Sequence, residues 1–129
     1  MEKQNVLDTQ VGGNHYQHFT PQPMEWFSGL SLKFIHGNIL KYILRYPFKN
    51  GKEDLQKAKH YLGYLRQYAD GVNHQVYDDG LDFISQNENV LNSSQILAIQ
   101  LFFLYLEFGN VRHLECLDVL LEIMINGEQ

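Results

Sequence analysis

Ser31-Leu32-Lys33-Phe34-Ile35-His36-Gly37-Asn38-Ile39-Leu40-Lys41-Tyr42-Ile43-Leu44-Arg45-Tyr46-Pro47 carries apolar side chains at Leu32, Ile35, Ile39, Tyr42, Ile43 and Tyr46. Spacings of three and four bring those residues onto one side of an α-helix, so the stretch reads as an amphipathic helix with one buried stripe. Ser31 can cap it and Pro47 stops it after Tyr46. Phe48-Lys49-Asn50-Gly51 then reads as a tight turn. Beyond it, Glu53 and Asp54 stand in the first turn of another helix, where the positive end of the helix dipole favours acids. Leu55, Ala58, Leu62, Leu65 and Ala69 give this second helix its own apolar stripe, which Gly63 interrupts. Because the connection is short, the two helices are expected to lie antiparallel as a hairpin.

Upstream of the hairpin, residues 1–10 read as a frayed terminus and Val11-Gly12-Gly13-Asn14-His15-Tyr16 as a loop in which two glycines permit positive φ. Gln22 to Gly29 can form a short helix with Pro23 in its first turn. Downstream, Asp70 to Asn92 is rich in Asp, Asn and Gly and reads as an irregular connection with one short helical turn around Leu81 to Ile84. A further helix is expected from Ser93 or Ser94 to Phe108, ended by Gly109, and another from Val111 to Ile125. The first of these is apolar nearly all round from Ile96 to Leu106, which requires burial on several sides and suggests a subunit interface. The fold class is therefore all-α, an antiparallel hairpin with two further C-terminal helices. One domain, 1–129, is expected, with a ligand-binding part at 11–69, a connection at 70–92 and apolar helices at 93–126.

A chain of 129 residues with a hydrophobic fraction of 44% can bury a core without staples, which argues against disorder. The polar Met1 to Gln10 predicts no signal peptide, and the single Cys116 can form no internal disulfide. A cytoplasmic protein without a membrane partner is the expectation. The net charge of −5 is unevenly distributed. Between Ser31 and Tyr68 lie Lys33, Lys41, Arg45, Lys49, Lys52, Lys57, Lys59 and Arg66 against Glu53 and Asp54 alone, whereas the remainder holds thirteen acids against Lys3 and Arg112. An isolated basic segment on an acidic chain suits a compact anion better than a long nucleic acid, whose phosphates would be repelled on either side.

Within that segment Asn38, Lys41 and Arg45 recur at three and four and are expected to share a helix flank beside the apolar stripe. An amide, a point charge and a planar guanidinium fork make a phosphate clamp, although a merely solvated flank has the same spacing. Lys49 and Asn50 in the turn, with Lys57 and Tyr61 four apart on the next helix, could close around the same site. Gly12 and Gly13 could present backbone N–H groups to an anion, with His15 as a donor and Tyr16 as a stacking ring. On this reading Arg45→Ala weakens ligand binding and leaves the fold intact. The chain has neither a G-x-x-x-x-G-K-[ST] loop nor a G-x-G-x-x-G turn. No catalytic residue and no metal ligand set is legible, so the reading leans away from an enzyme and expects no cofactor.

The ordered blocks Val11-Gly12-Gly13-Asn14-His15-Tyr16, Gln22-Pro23-Met24-Glu25, Gly37 to Tyr46 and Lys49 to Tyr61 resemble the signature of a family of small bacteriophage proteins of largely undefined function. One coliphage member of that family is a deoxynucleoside monophosphate kinase without a standard nucleotide-binding motif. The resemblance covers about the first half of the chain, and it implies phage origin, a host-cell cytoplasmic location and the handling of nucleotides. Two functions follow as expectations. The first is sequestration, without catalysis, of a nucleotide-derived immune signal such as a cyclic ADP-ribose isomer or a cyclic oligonucleotide, by a homo-oligomer. The alternative is monophosphate kinase activity, to which ATP and magnesium would belong, and a structural or interaction protein is a third possibility.

Overall fold

The computed structural model describes residues 18–23, 26, 33–67 and 75–128. Five helices are present among them, with no strand: α1 (Phe34–Arg45), α2 (Lys52–Gln67), α3 (Tyr77–Gln86), α4 (Ser93–Phe108) and α5 (Val111–Gly127). The fold class is all-α. Pro23 and Trp26 are also helical, and the rest of the short helix expected there lies outside the described residues.

α1 begins two residues later than its sequence suggested, after Lys33, which makes no side-chain cap; Ser31 and Leu32 lie outside the described residues. Tyr46 to Gly51 form the turn, Gly51 taking φ +47°, a left-handed conformation that its missing side chain makes cheap. α1 and α2 then pack as an antiparallel hairpin: Arg45 meets Asp54 beside the turn, and Phe34 at the far end of α1 meets Tyr61 late in α2. Ile39, Leu40, Ile43 and Leu44 from α1 and Leu55, Ala58 and Leu62 from α2 are fully buried along the seam. Gly63 leaves α2 unbroken, since a single glycine costs about 1 kcal/mol and the buried stripe outweighs it.

α4 and α5 form the second hairpin, turned by Gly109 at φ 69°. α2 packs on α5 and α1 on α4, so the four helices follow one another around a common core. Salt bridges from Lys59 to Asp118 and Glu122, and from Arg66 to Asp118, cross between α2 and α5. At the opposite corner Asn92, not Ser93 or Ser94, caps α4. Its side chain accepts the Gln95 N–H at 2.8 Å while the Gln95 side chain accepts the Asn92 N–H at 2.9 Å, a reciprocal capping box. Gln95 is wholly buried, and its amide also donates to the Ile43 and Leu44 carbonyls, which the end of α1 leaves without helical partners. One side chain thereby starts one helix and finishes another.

The expected irregular connection instead contains α3, ten residues long. Asp78 and Asp79 complement its N-terminal dipole, and Phe83 and Ile84 are buried. Gly80 is a packing residue: a methyl built there would lie 2.7 Å from Cγ of Phe103. Trp26 stacks on Phe83 at 3.7 Å between ring centres and on Phe103 at 5.3 Å. Buried Asn87 ties the segment before Trp26 to the end of α3, accepting from the Thr20 N–H and donating to the Thr20 carbonyl, both at 2.6 Å. No helix among the described residues is long and apolar enough to cross a membrane.

Candidate functional site

Tyr42 stands on the shoulder of α1, half-buried, where the sequence pattern counted it as core. Lys41 precedes it and Arg45 follows one turn on, while the hairpin register brings Lys57 across from α2. The Lys41 ammonium lies 4.5 Å from the centre of the Tyr42 ring, the Arg45 guanidinium 5.4 Å and the Lys57 ammonium 5.5 Å. Three cations are therefore gathered on one ring, each contact contributing only about 0.5–1 kcal/mol at a partly exposed site. Tyr61, one turn beyond Lys57, stacks beside Tyr42 at 6.1 Å with the ring planes 18° apart. Phe34, 76% exposed, meets the edge of Tyr61 at 6.2 Å, and Tyr64 and His60 continue the aromatic surface along α2.

The cations are not equivalent. Arg45 donates from Nε to Asp54 Oδ2 at 3.2 Å, and the Asn50 backbone N–H donates to the same oxygen at 3.2 Å. Asp54 is fully buried, and its other oxygen has no hydrogen-bond partner among the described residues. Arg45 thus faces a buried carboxylate at the start of α2, so Arg45→Ala is expected to cost stability as well as binding. Lys57 pairs with Glu53 at 3.4 Å, an exposed bridge of the kind that contributes little and exchanges readily with solvent or ligand. Lys41 makes no ion pair among the described residues, which leaves it the most available of the three.

Of the other residues expected at the site, Asn38 is buried, its amide donating to the Phe34 carbonyl of its own helix at 2.9 Å. It braces α1 from within, so the proposed Asn38, Lys41 and Arg45 clamp keeps its two cations and loses its amide. Lys49 and Asn50 are exposed in the turn, Asn50 serving Asp54 through its backbone. Gly12, Gly13, His15 and Tyr16 lie outside the described residues. The basic segment is also divided: Lys59 and Arg66 turn to the acids of α5, so their charge is matched within the fold. Of the remaining cations, Lys41, Arg45 and Lys57 lie around Tyr42, while Lys49 and Lys52 are exposed at the turn. Sequence reasoning missed Tyr42 and Phe34, and the signal for Tyr42 was its position between Lys41 and Arg45 at the edge of the apolar stripe.

The chain is thus an all-α bundle bearing a cationic and aromatic surface on its first hairpin. Residues 13–63, which include that hairpin as far as Gly63, match the model of a protein family described as of unknown function (DUF3310). Neither the curated proteins nor the solved structures include one that matches the chain.

Proposed function

We propose that this protein binds a phosphate-bearing, nucleotide-derived small molecule over Tyr42 and holds it without altering it, as a phage product that removes an immune signal from the host cytoplasm. The observation that carries the reading is the convergence of Lys41, Arg45 and Lys57 on one tyrosine ring beside half-buried Tyr61 and exposed Phe34. Phosphate oxygens would give Lys41 the anionic partner it lacks among the described residues and compete with exposed Glu53 for Lys57. A base stacked on the aromatic surface would add about 1–3 kcal/mol, largely independent of its identity. Lys41 suits first contact, since among the described residues it has only a modest cation–π interaction to exchange for a phosphate.

The test is a thermal-shift screen against nucleoside monophosphates, triphosphates and cyclic nucleotides, followed by calorimetry with the best compound. Lys41→Ala and Lys57→Ala should each weaken binding, a charge-assisted phosphate contact being worth about 1.5–3 kcal/mol, with wild-type helicity retained. Heat denaturation should return the compound with its mass unchanged, and binding should persist in chelator. Unchanged affinity in the Lys41→Ala, Lys57→Ala double variant would remove the site from Tyr42. Catalytic conversion of a deoxynucleoside monophosphate to its diphosphate with ATP and magnesium would replace sequestration with phosphoryl transfer.

A further inference from the structure

The second hairpin has an outward side that the ligand site does not use. Leu97, Leu101, Leu104 and Phe108 recur along α4 at four, three and four, which aligns them in one stripe opposite the buried Ala98, Ile99, Phe102 and Leu106. Leu97 is 46% exposed and Phe108 65%, with Leu101 and Leu104 half-buried between them. On α5, Cys116, Val119 and Ile123 align opposite the buried Leu114, Leu117 and Leu121, Val119 being 60% and Ile123 62% exposed. The other flanks are occupied: α1 meets α4 at Gln95, α3 meets it at Phe103 and Glu107, and α2 meets α5 at Asp118 and Glu122. The two apolar stripes therefore adjoin on the side of the hairpin turned away from α1 and α2.

From this face we infer that two copies of the chain pair through their α4–α5 hairpins about a two-fold axis. An isologous contact sets each patch against itself, so it tolerates no concentration of like charge. α4 satisfies that condition despite the net charge of −5, because its only charged residue, Glu107, sits on the α3 flank and accepts from the Tyr77 N–H. On α5, Asp118 and Glu122 are matched by Lys59 and Arg66, and exposed Glu115, one turn before Val119, has Arg112 three residues before it on the same helix. The exposed parts of Leu97, Phe108, Val119 and Ile123 amount to roughly 450 Å², within the range of the largest patch on a typical monomer and more than half of the ~800 Å² that each partner gives a standard interface. The half-buried Leu101, Leu104 and Leu120, with Cys116, bring the face toward that requirement.

Light scattering of the full chain should give twice 15.1 kDa at micromolar concentration. Cys116 is the only cysteine and is exposed in the monomer, so its alkylation should slow by more than an order of magnitude as protein concentration rises from nanomolar to high micromolar. Leu97→Glu and Ile123→Glu, each at an exposed position, should return a monomer with unchanged helix content. A monomeric wild type throughout that range overturns the inference. So does an oligomer whose Cys116 reacts equally fast at every concentration, or one that persists in the folded variants. If a variant fails to fold, wild-type mass and Cys116 reactivity decide alone. A monomer that still binds nucleotide refutes the pairing and leaves the Tyr42 site standing, whereas a dimer that binds none does the reverse.

Discussion

Arg45→Ala removes the cation that faces a carboxylate with no access to water. Asp54 would keep the hydrogen bond from the Asn50 N–H, and its Oδ1 has no hydrogen-bond partner among the described residues even before the substitution. The pair is asymmetric, the Arg45 side chain being 16% exposed and that of Asp54 0%. Breaking such a pair by removing one partner typically costs about 3–5 kcal/mol, most of it the penalty of the charge left behind. For a domain of this length each kcal/mol moves Tm by about 3–5 °C, so the variant should melt roughly 10–20 °C lower. Urea titration followed by circular dichroism measures the difference directly. The Arg45→Ala, Asp54→Asn double variant removes the stranded charge and keeps an acceptor for the Asn50 N–H, and it should recover a substantial part of the loss. An Arg45→Ala protein within about 0.5 kcal/mol of wild type, the range of ordinary surface substitutions, would refute the reasoning and return Arg45 to the solvated flank on which the sequence placed it.

Glycine substitutions should have opposite signs at two helical positions. Gly63→Ala, with nothing within 4 Å of the added methyl, should stabilise by about 0.5–1 kcal/mol, whereas Gly80→Ala must displace the buried Phe103 and should destabilise by about 1–2 kcal/mol after its gain in helix propensity. Urea midpoints compare the two, and a stabilising Gly80→Ala would contradict the packing described. Burial raises the Tyr46 pKa, with the Glu128 carboxylate adding to the rise and the hydrogen bond from Asn92 opposing it. The unfolded phenol therefore ionises first, so Tyr46's stabilisation, intact below about pH 10, should decline as pH rises through the native pKa; stability measured from pH 9 to 11 should fall less steeply in Tyr46→Phe. Gln95→Ala deletes half of the capping box and uncovers the Ile43 carbonyl at once, and should cost at least about 2 kcal/mol by the same urea measurement; a loss below 1 would mean that the two roles are not coupled.

The first hairpin was legible because three features agreed: a stripe of period 3.6, a Pro-bounded end and a glycine able to take positive φ at the turn. The last two helices were legible for similar reasons. α4's cap was not, because Asn92, Ser93 and Ser94 can all cap, and the choice falls to Gln95, whose second role depends on a carbonyl 52 residues away in sequence. α3 was hidden by its composition. Asp and Gly are turn residues locally, and only the ring of Phe103 reveals Gly80 as a site of close approach.

For the ligand site, helix spacing placed Lys41 and Arg45 beside the apolar stripe, but it could not measure how far the stripe extended. Tyr42 was assigned to the core because it satisfies the period, and Asn38 to the surface because it is polar. The structure moves Tyr42 to the margin of the core, half-buried, and buries Asn38, for one physical reason. A hairpin seam buries what lies directly between its two helices, whatever the polarity, provided that each polar group finds a partner, as Asn38 does in the Phe34 carbonyl. Tyr42 lies at the margin of that seam, where the opposite helix supplies Lys57 and Tyr61 in place of another leucine. The register that closes the core is thus also what assembles the cations, since Lys57 reaches Tyr42 only when Leu55, Ala58 and Leu62 lie in the seam beside it. Asp54 fixes that register at the turn by holding both Arg45 and the Asn50 N–H. Arg45 therefore has a place in the site and a place in the fold that cannot be separated by a single substitution, and Lys41, which makes no ion pair among the described residues, is the residue through which binding can be measured apart from stability.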